Sequence, residues 1–179
     1  DILSIVTLIN GKREGRYTSY FEYPNKIREI IYCRNGKCHG DFTEYYTNGL
    51  VNKTGLWKNN LSDGHWIVKN SRGDLIQDYH FIDGVKVNVC TDYYNDENEI
   101  NKIKKKCICD TPVDGKNKYN IISYKLDGRI ISEENYIDKS FDNPVLHGHS
   151  IYYDRNGEVV EEGDFQYGEK VGEWKIENN

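Results

Sequence analysis

A small residue, usually glycine, stands two positions before an apolar side chain seven times along this chain of 179 residues, returning every 24 or 25 residues where the pattern is cleanest. Gly15-Arg16-Tyr17, Gly40-Asp41-Phe42, Gly64-His65-Trp66 and Gly172-Glu173-Trp174 are the clear copies; Asn88-Val89-Cys90, Tyr119-Asn120-Ile121 and Gly148-His149-Ser150 are degenerate ones. A fixed period of this length marks a repeat array, in which each short unit buries its apolar face only against its neighbours.

Aligned on that first residue, the copies share more. Five positions on stands a tyrosine (Tyr20, Tyr45, Tyr93, Tyr124, Tyr153), often followed by a second aromatic, as in Tyr45-Tyr46 and Tyr93-Tyr94. Nine positions on comes a turn glycine, in Asn48-Gly49, Arg72-Gly73, Asp127-Gly128 and Asn156-Gly157. Asn-Gly and Asp-Gly are strong hairpin signals because both residues accept positive φ. A β-rich run follows and ends in a further turn such as Asn35-Gly36, Asn59-Asn60, Asp83-Gly84 or Tyr167-Gly168. No segment offers an amphipathic helix with start and stop signals. The expected fold is all-β: an extended antiparallel meander of repeated hairpins, about seven units and on the order of a dozen strands. Alternation then puts residues 42, 44 and 46 on one face and 43 and 45 on the other.

Between Asn88 and Tyr119 the spacing grows to 31 residues, and from Tyr119 to Gly148 it is 29. One repeat-array domain over 1–179 is expected, with irregular insertions around 95–118 and 138–147, the stretches where repeat proteins tend to build contacts. Only 37% of residues are apolar and 13% are aromatic, including 15 tyrosines, which suits a thin sheet covered by rings and by Lys and Arg stems. The net charge of −5 argues against nucleic acid as a ligand. The basic run Lys102-Ile103-Lys104-Lys105-Lys106 suits a solvated loop or a lysine-protected edge strand. No apolar stretch approaches the ~20 residues of a membrane span. With no methionine present, the chain is expected to start after its native first residue.

The string Gly-x-aromatic, Tyr-Tyr-x-Asn-Gly, Gly-x-aromatic and Gly-x-x-x-Gly is carried best by Gly40–Gly49 and by Gly163–Trp174. It resembles the MORN-repeat class, above all the bacterial variant repeats of YwqK-type antitoxin proteins. The resemblance spans nearly the whole chain, weakly between Asn88 and Pro144. It implies a MORN-like array, a scaffolding or antitoxin-like role, and no catalytic residues.

The five cysteines and five histidines are the sharpest local chemistry. In Cys33-Arg34-Asn35-Gly36-Lys37-Cys38 a two-residue turn sets the cysteines opposite each other as a non-hydrogen-bonded pair, close enough for a disulfide. Cys90, Cys107 and Cys109 admit a bridge, a zinc site or simply packed thiols. His147-Gly148-His149 could be a metal pair, but His39 and His65 flank the glycine in other copies, which favours a structural role. No nucleophile elbow or phosphate loop occurs.

The expectations are therefore a non-enzymatic, protein-binding repeat protein without cofactor or metal, immunity- or antitoxin-like. It would occlude a partner toxin through Tyr45, Tyr46, Tyr93, Tyr94, Tyr152 and Tyr153, beside an acidic C-terminal third. The alternative is a cell-envelope or surface module contacting lipid or glycan. A Cys33–Cys38 disulfide would place the chain outside the cytoplasm, in periplasm, at the surface or secreted; the antitoxin-like role fits the cytoplasm as well.

Overall fold

The computed structural model describes residues 3–96, 98, 102–109, 117–138 and 145–177, with backbone only at Asn88, Asn117 and Asp138. Among them the chain is all-β, an antiparallel meander of hairpins in fourteen strands. It divides into two compact units, 1–85 and 86–179.

The first unit contains β1 (Ser4–Ile9), β2 (Lys12–Tyr20), β3 (Ile27–Arg34), β4 (Lys37–Tyr45), β5 (Val51–Lys58), β6 (Leu61–Lys69) and β7 (Leu75–Ile82), each paired with the next. The second contains β8 (Val85–Tyr93, whose first residue closes the first unit), β9 (Ile103–Cys109), β10 (Asn117–Tyr124), β11 (Ile130–Asp138), β12 (Val145–Tyr153), β13 (Val159–Gln166) and β14 (Glu169–Ile176), again paired in order. The span 95–118, expected to be irregular, thus includes strand β9, whose successive Lys104, Lys105 and Lys106 fall on both faces before the buried Cys107. Within that span residues 97, 99–101 and 110–116, and within the second residues 139–144, lie outside the described residues.

The repeat glycine has a defined task. In β2, β4, β6, β12 and β14, three residues starting at or around it face a single residue of the preceding strand; Gly64-His65-Trp66, for instance, oppose Gly55 alone. Such a bulge needs a left-handed residue, and Gly64 supplies it with φ 64°. Toward the following strand the same residues pair one to one, as Gly64↔Phe81 and His65↔His80. In β10 the glycine is replaced by Tyr119, and β9–β10 pair without a bulge. A side chain with Cβ resists the required φ.

The bulge turns the next side chain but one onto the core. Trp66 is 1% exposed and meets Phe42, Trp57 and Phe81 at ring distances of 5.5, 5.2 and 6.1 Å. It lies so tightly on Gly55 that a Cβ there would come 2.1 Å from Trp66 Cδ2. The second unit repeats the motif with Trp174 on Gly163 and beside Phe165. There the same row also carries Cys90, Cys107, Ile121 and Ser150, all buried.

Two kinds of turn alternate. Asn35-Gly36, Asp83-Gly84 and Tyr167-Gly168 are two-residue turns with both φ positive, as the sequence predicts. At Asn48-Gly49 only the glycine has positive φ, which corrects the two-residue expectation. Tyr46 N donates to Leu50 O and Gly49 N to Tyr46 O, forming a longer loop next to a one-residue register shift. The residue that opens this loop ties repeats together. Tyr46 and Tyr94 donate their hydroxyls, and Lys125 its ammonium, to carbonyls of Lys69, Tyr124 and Asp154 in the next repeat. At Asn70 and Asp154 the shorter side chain accepts N–H groups of its own loop instead.

Candidate functional site

All six tyrosines expected to bind a partner are half-buried. Tyr45, Tyr93 and Tyr153 share one register position, opposite Val51, Ile103 and Val159 at the loop end of the hairpin. Tyr46 and Tyr94 follow Tyr45 and Tyr93 and hold the next repeat at 2.9 and 2.7 Å. Tyr152 and Tyr153 point to opposite faces, as neighbours on a strand must. Tyr152 donates to Glu134 at 3.0 Å and Tyr153 to Glu133 at 2.9 Å. The set is spread over both units, Tyr45 and Tyr46 in the first and the other four in the second.

A polar cluster gathers on Glu134. Its carboxylate accepts from Tyr152 and, at 3.3 Å, from Ser132, and it is also hydrogen-bonded by Tyr136. Burial first, then the Glu134 charge, pushes the Tyr136 phenol up to about 12, and the same causes raise Tyr152. Both rings are therefore neutral donors across the physiological range, with little rotational freedom. Glu161 and Glu162 lie on the adjoining strand β13, where they pair with Lys170 and with Lys175.

Cys33 and Cys38 are direct cross-strand partners, in the register the Asn35-Gly36 turn predicts. Both are thiols here, and burial together with the neighbouring Cys38 raises the Cys33 pKa. Cys90 stands opposite Cys107, and Cys107 Sγ lies 3.7 Å from Cys109 Sγ. The hydrogen bond from Cys107, with burial, pushes the Cys109 thiol up to about 12, against a smaller lowering by Cys90.

The histidines divide by register. His147 Nδ1 accepts a long hydrogen bond, 3.4 Å, from Tyr167 N and packs its ring against Tyr167. His149 pairs with Asp164 at 3.2 Å, so the two histidines of the candidate metal pair serve different partners. His65, in contrast, meets a histidine: it faces His80 across β6–β7, with ring centroids 4.6 Å apart and planes 14° from parallel. Asp78 Oδ1 is 2.7 Å from His65 Nε2. His80 carries no sequence motif of its own, yet it was reachable. In well-formed repeats the aromatic residue opposite the glycine stands 17 positions on (Trp57, Phe81, Phe165), which places His65 opposite His80. Among the described residues no helix is long and apolar enough to cross a membrane. Neither protein-family models nor characterised proteins give a match to this chain.

Proposed function

We propose that the chain is a non-catalytic, protein-binding repeat protein of MORN-like kind, antitoxin- or immunity-like, that neutralises a toxin by covering its working surface. The observation that carries this reading is the immobilisation of half-exposed tyrosines. Tyr46, Tyr94, Tyr152 and Tyr153 each spend the hydroxyl on a fixed acceptor within the sheet, which leaves a ring edge presented without rotational freedom. Rings held in this way lose little entropy on docking, and tyrosine is among the commonest interface anchors. Glu133 and Glu162 beside Tyr153, with the adjoining Asp154, favour a partner surface rich in lysine and arginine.

The test is capture of the neighbouring gene's product by the purified chain, together with rescue from its toxicity. Tyr152→Ala with Tyr153→Ala is expected to weaken capture by about 30-fold or more, the mark of a hot spot. Tyr45→Ala serves as the first-unit counterpart. Full affinity in both variants, or retention on liposomes or polysaccharide with no protein captured, overturns the reading. The compartment follows the thiols: a disulfide mapped to the peptides carrying Cys33 and Cys38 in native material would signal an extracytoplasmic site, whereas five free thiols would fit the cytoplasm.

A further inference from the structure

We infer that His65, Asp78 and His80 form a binding site for a divalent transition-metal ion of the zinc class on the first unit. Three features converge on one spot. His65 follows the bulge glycine of β6, and His80 is its direct partner on β7. Asp78 precedes His80 by two residues, so the pleat directs it to the same face. One ligand atom from each residue lies within 4.8 Å of the other two.

The chemistry suits the ion. Two imidazoles and one carboxylate are a zinc-type donor set, and water completes a tetrahedron. With ligands ~2.0–2.2 Å from the metal, the donor atoms of a tetrahedron stand about 3.3–3.6 Å apart. The His65–Asp78 pair is already closer than that, and His65, with its side chain 45% exposed, is free to turn the remaining distance.

The fold itself does not ask for this set. The equivalent cross-strand positions hold Arg16 with Tyr32, Asp41 with Leu56, Asn120 with Asn135, and His149 with Asp164. The position thus tolerates charged, polar and apolar residues, and the core face is filled by Trp66 and Phe81 instead. Stacked imidazoles directly opposed on a sheet gain little from each other and would repel if both were charged. A shared cation gives the pair and Asp78 one common partner. The site uses none of the six tyrosines, so it stands or falls independently of the partner-binding reading.

The full-length chain, freed of metal with a chelator, is titrated with zinc chloride by calorimetry and with cobalt chloride by visible absorption. One ion per chain is expected, with a cobalt spectrum lacking a thiolate charge-transfer band. Because loss of even an outer-shell partner costs about 10–100-fold in metal affinity, His80→Asn and the near-isosteric Asp78→Asn should each weaken binding at least tenfold. His149→Asn should leave it unchanged. Circular dichroism of each variant checks that the sheet persists. The inference is overturned by absence of binding at millimolar zinc, by full affinity in both His80→Asn and Asp78→Asn, or by a thiolate band that vanishes with Cys107→Ser.

Discussion

The repeats at Gly64 and Gly148 build the same backbone and finish with different chemistry. Each has a left-handed glycine in a three-against-one bulge, a histidine directly after it, and a cross-strand partner fifteen residues beyond that histidine. In the first unit the three equivalent positions are His65, Asp78 and His80; in the second they are His149, Glu162 and Asp164. The first set brings two imidazoles to one carboxylate. The second gives a lone imidazole to Asp164, while Glu162 is drawn toward Lys175. The periodic glycine thus determines where a side chain stands, and the residue chosen there decides what it can hold. The β9–β10 pair supplies the reverse case, since without the glycine the bulge is gone.

The packing half of this comparison breaks most visibly at the tryptophans. Trp66→Ala should cost about 3–5 kcal/mol in denaturant unfolding, because Trp66 is almost wholly buried among three aromatic rings. Trp174→Ala should cost clearly less, because Trp174 is only half-buried. Equal losses would mean that the two tryptophan–glycine stacks are not unequal in weight. Gly55→Ala forces a methyl onto the Trp66 ring and should remove about 2–3 kcal/mol.

The chemical half is sharpened by a graft. Asp164→His puts a second imidazole opposite His149 and should raise zinc stoichiometry from one to two per chain, measured by calorimetry. The tyrosine latches come next: Tyr46→Phe loses the bond to Lys69 O and should cost about 1 kcal/mol, while Tyr45→Phe costs less.

Two pH effects are smaller. The Tyr136 proton is held more tightly in the folded chain, whose value is about 12 against an ordinary 10.0. Its contribution is whole below pH 10.0 and is lost as pH rises through about 12, so Tyr136→Phe should flatten that alkaline limb of the stability curve. Asp127 has the opposite sign. Its hydrogen bonds with Arg129 lower it from 3.8 to about 2, so its contribution is present above 3.8 and fades as pH falls toward 2. Being exposed to solvent, it should give the faintest signal, which Asp127→Asn would erase.

Much of this architecture was legible in the residues. The glycine period predicts the hairpin meander, and Asn35-Gly36 predicts that Cys33 meets Cys38, since a two-residue turn counts register without ambiguity. Legibility fails wherever a bulge shifts the count. The Asn48-Gly49 loop and the strand Ile103–Cys109 both sit beside such shifts. His80 was missed for a related reason: its meaning lies in the strand across from it and in no neighbour along the chain. The hydroxyl acceptors of Tyr46 and Tyr94 are carbonyls 23 and 30 residues away, which no local pattern announces. The Glu134 cluster likewise depends on Tyr152, 18 residues away, besides Ser132 and Tyr136 of its own strand.

Cross-strand nuclear Overhauser effects over β6–β7 test the register most directly. The geometry calls for backbone contacts pairing His65 with His80 and Ile67 with Asp78, with Gly55 touching Gly64 through Trp66 on the other side. A ladder slipped by one residue, with His65 against Tyr79 or Phe81, would throw the two imidazoles onto opposite faces and contradict it.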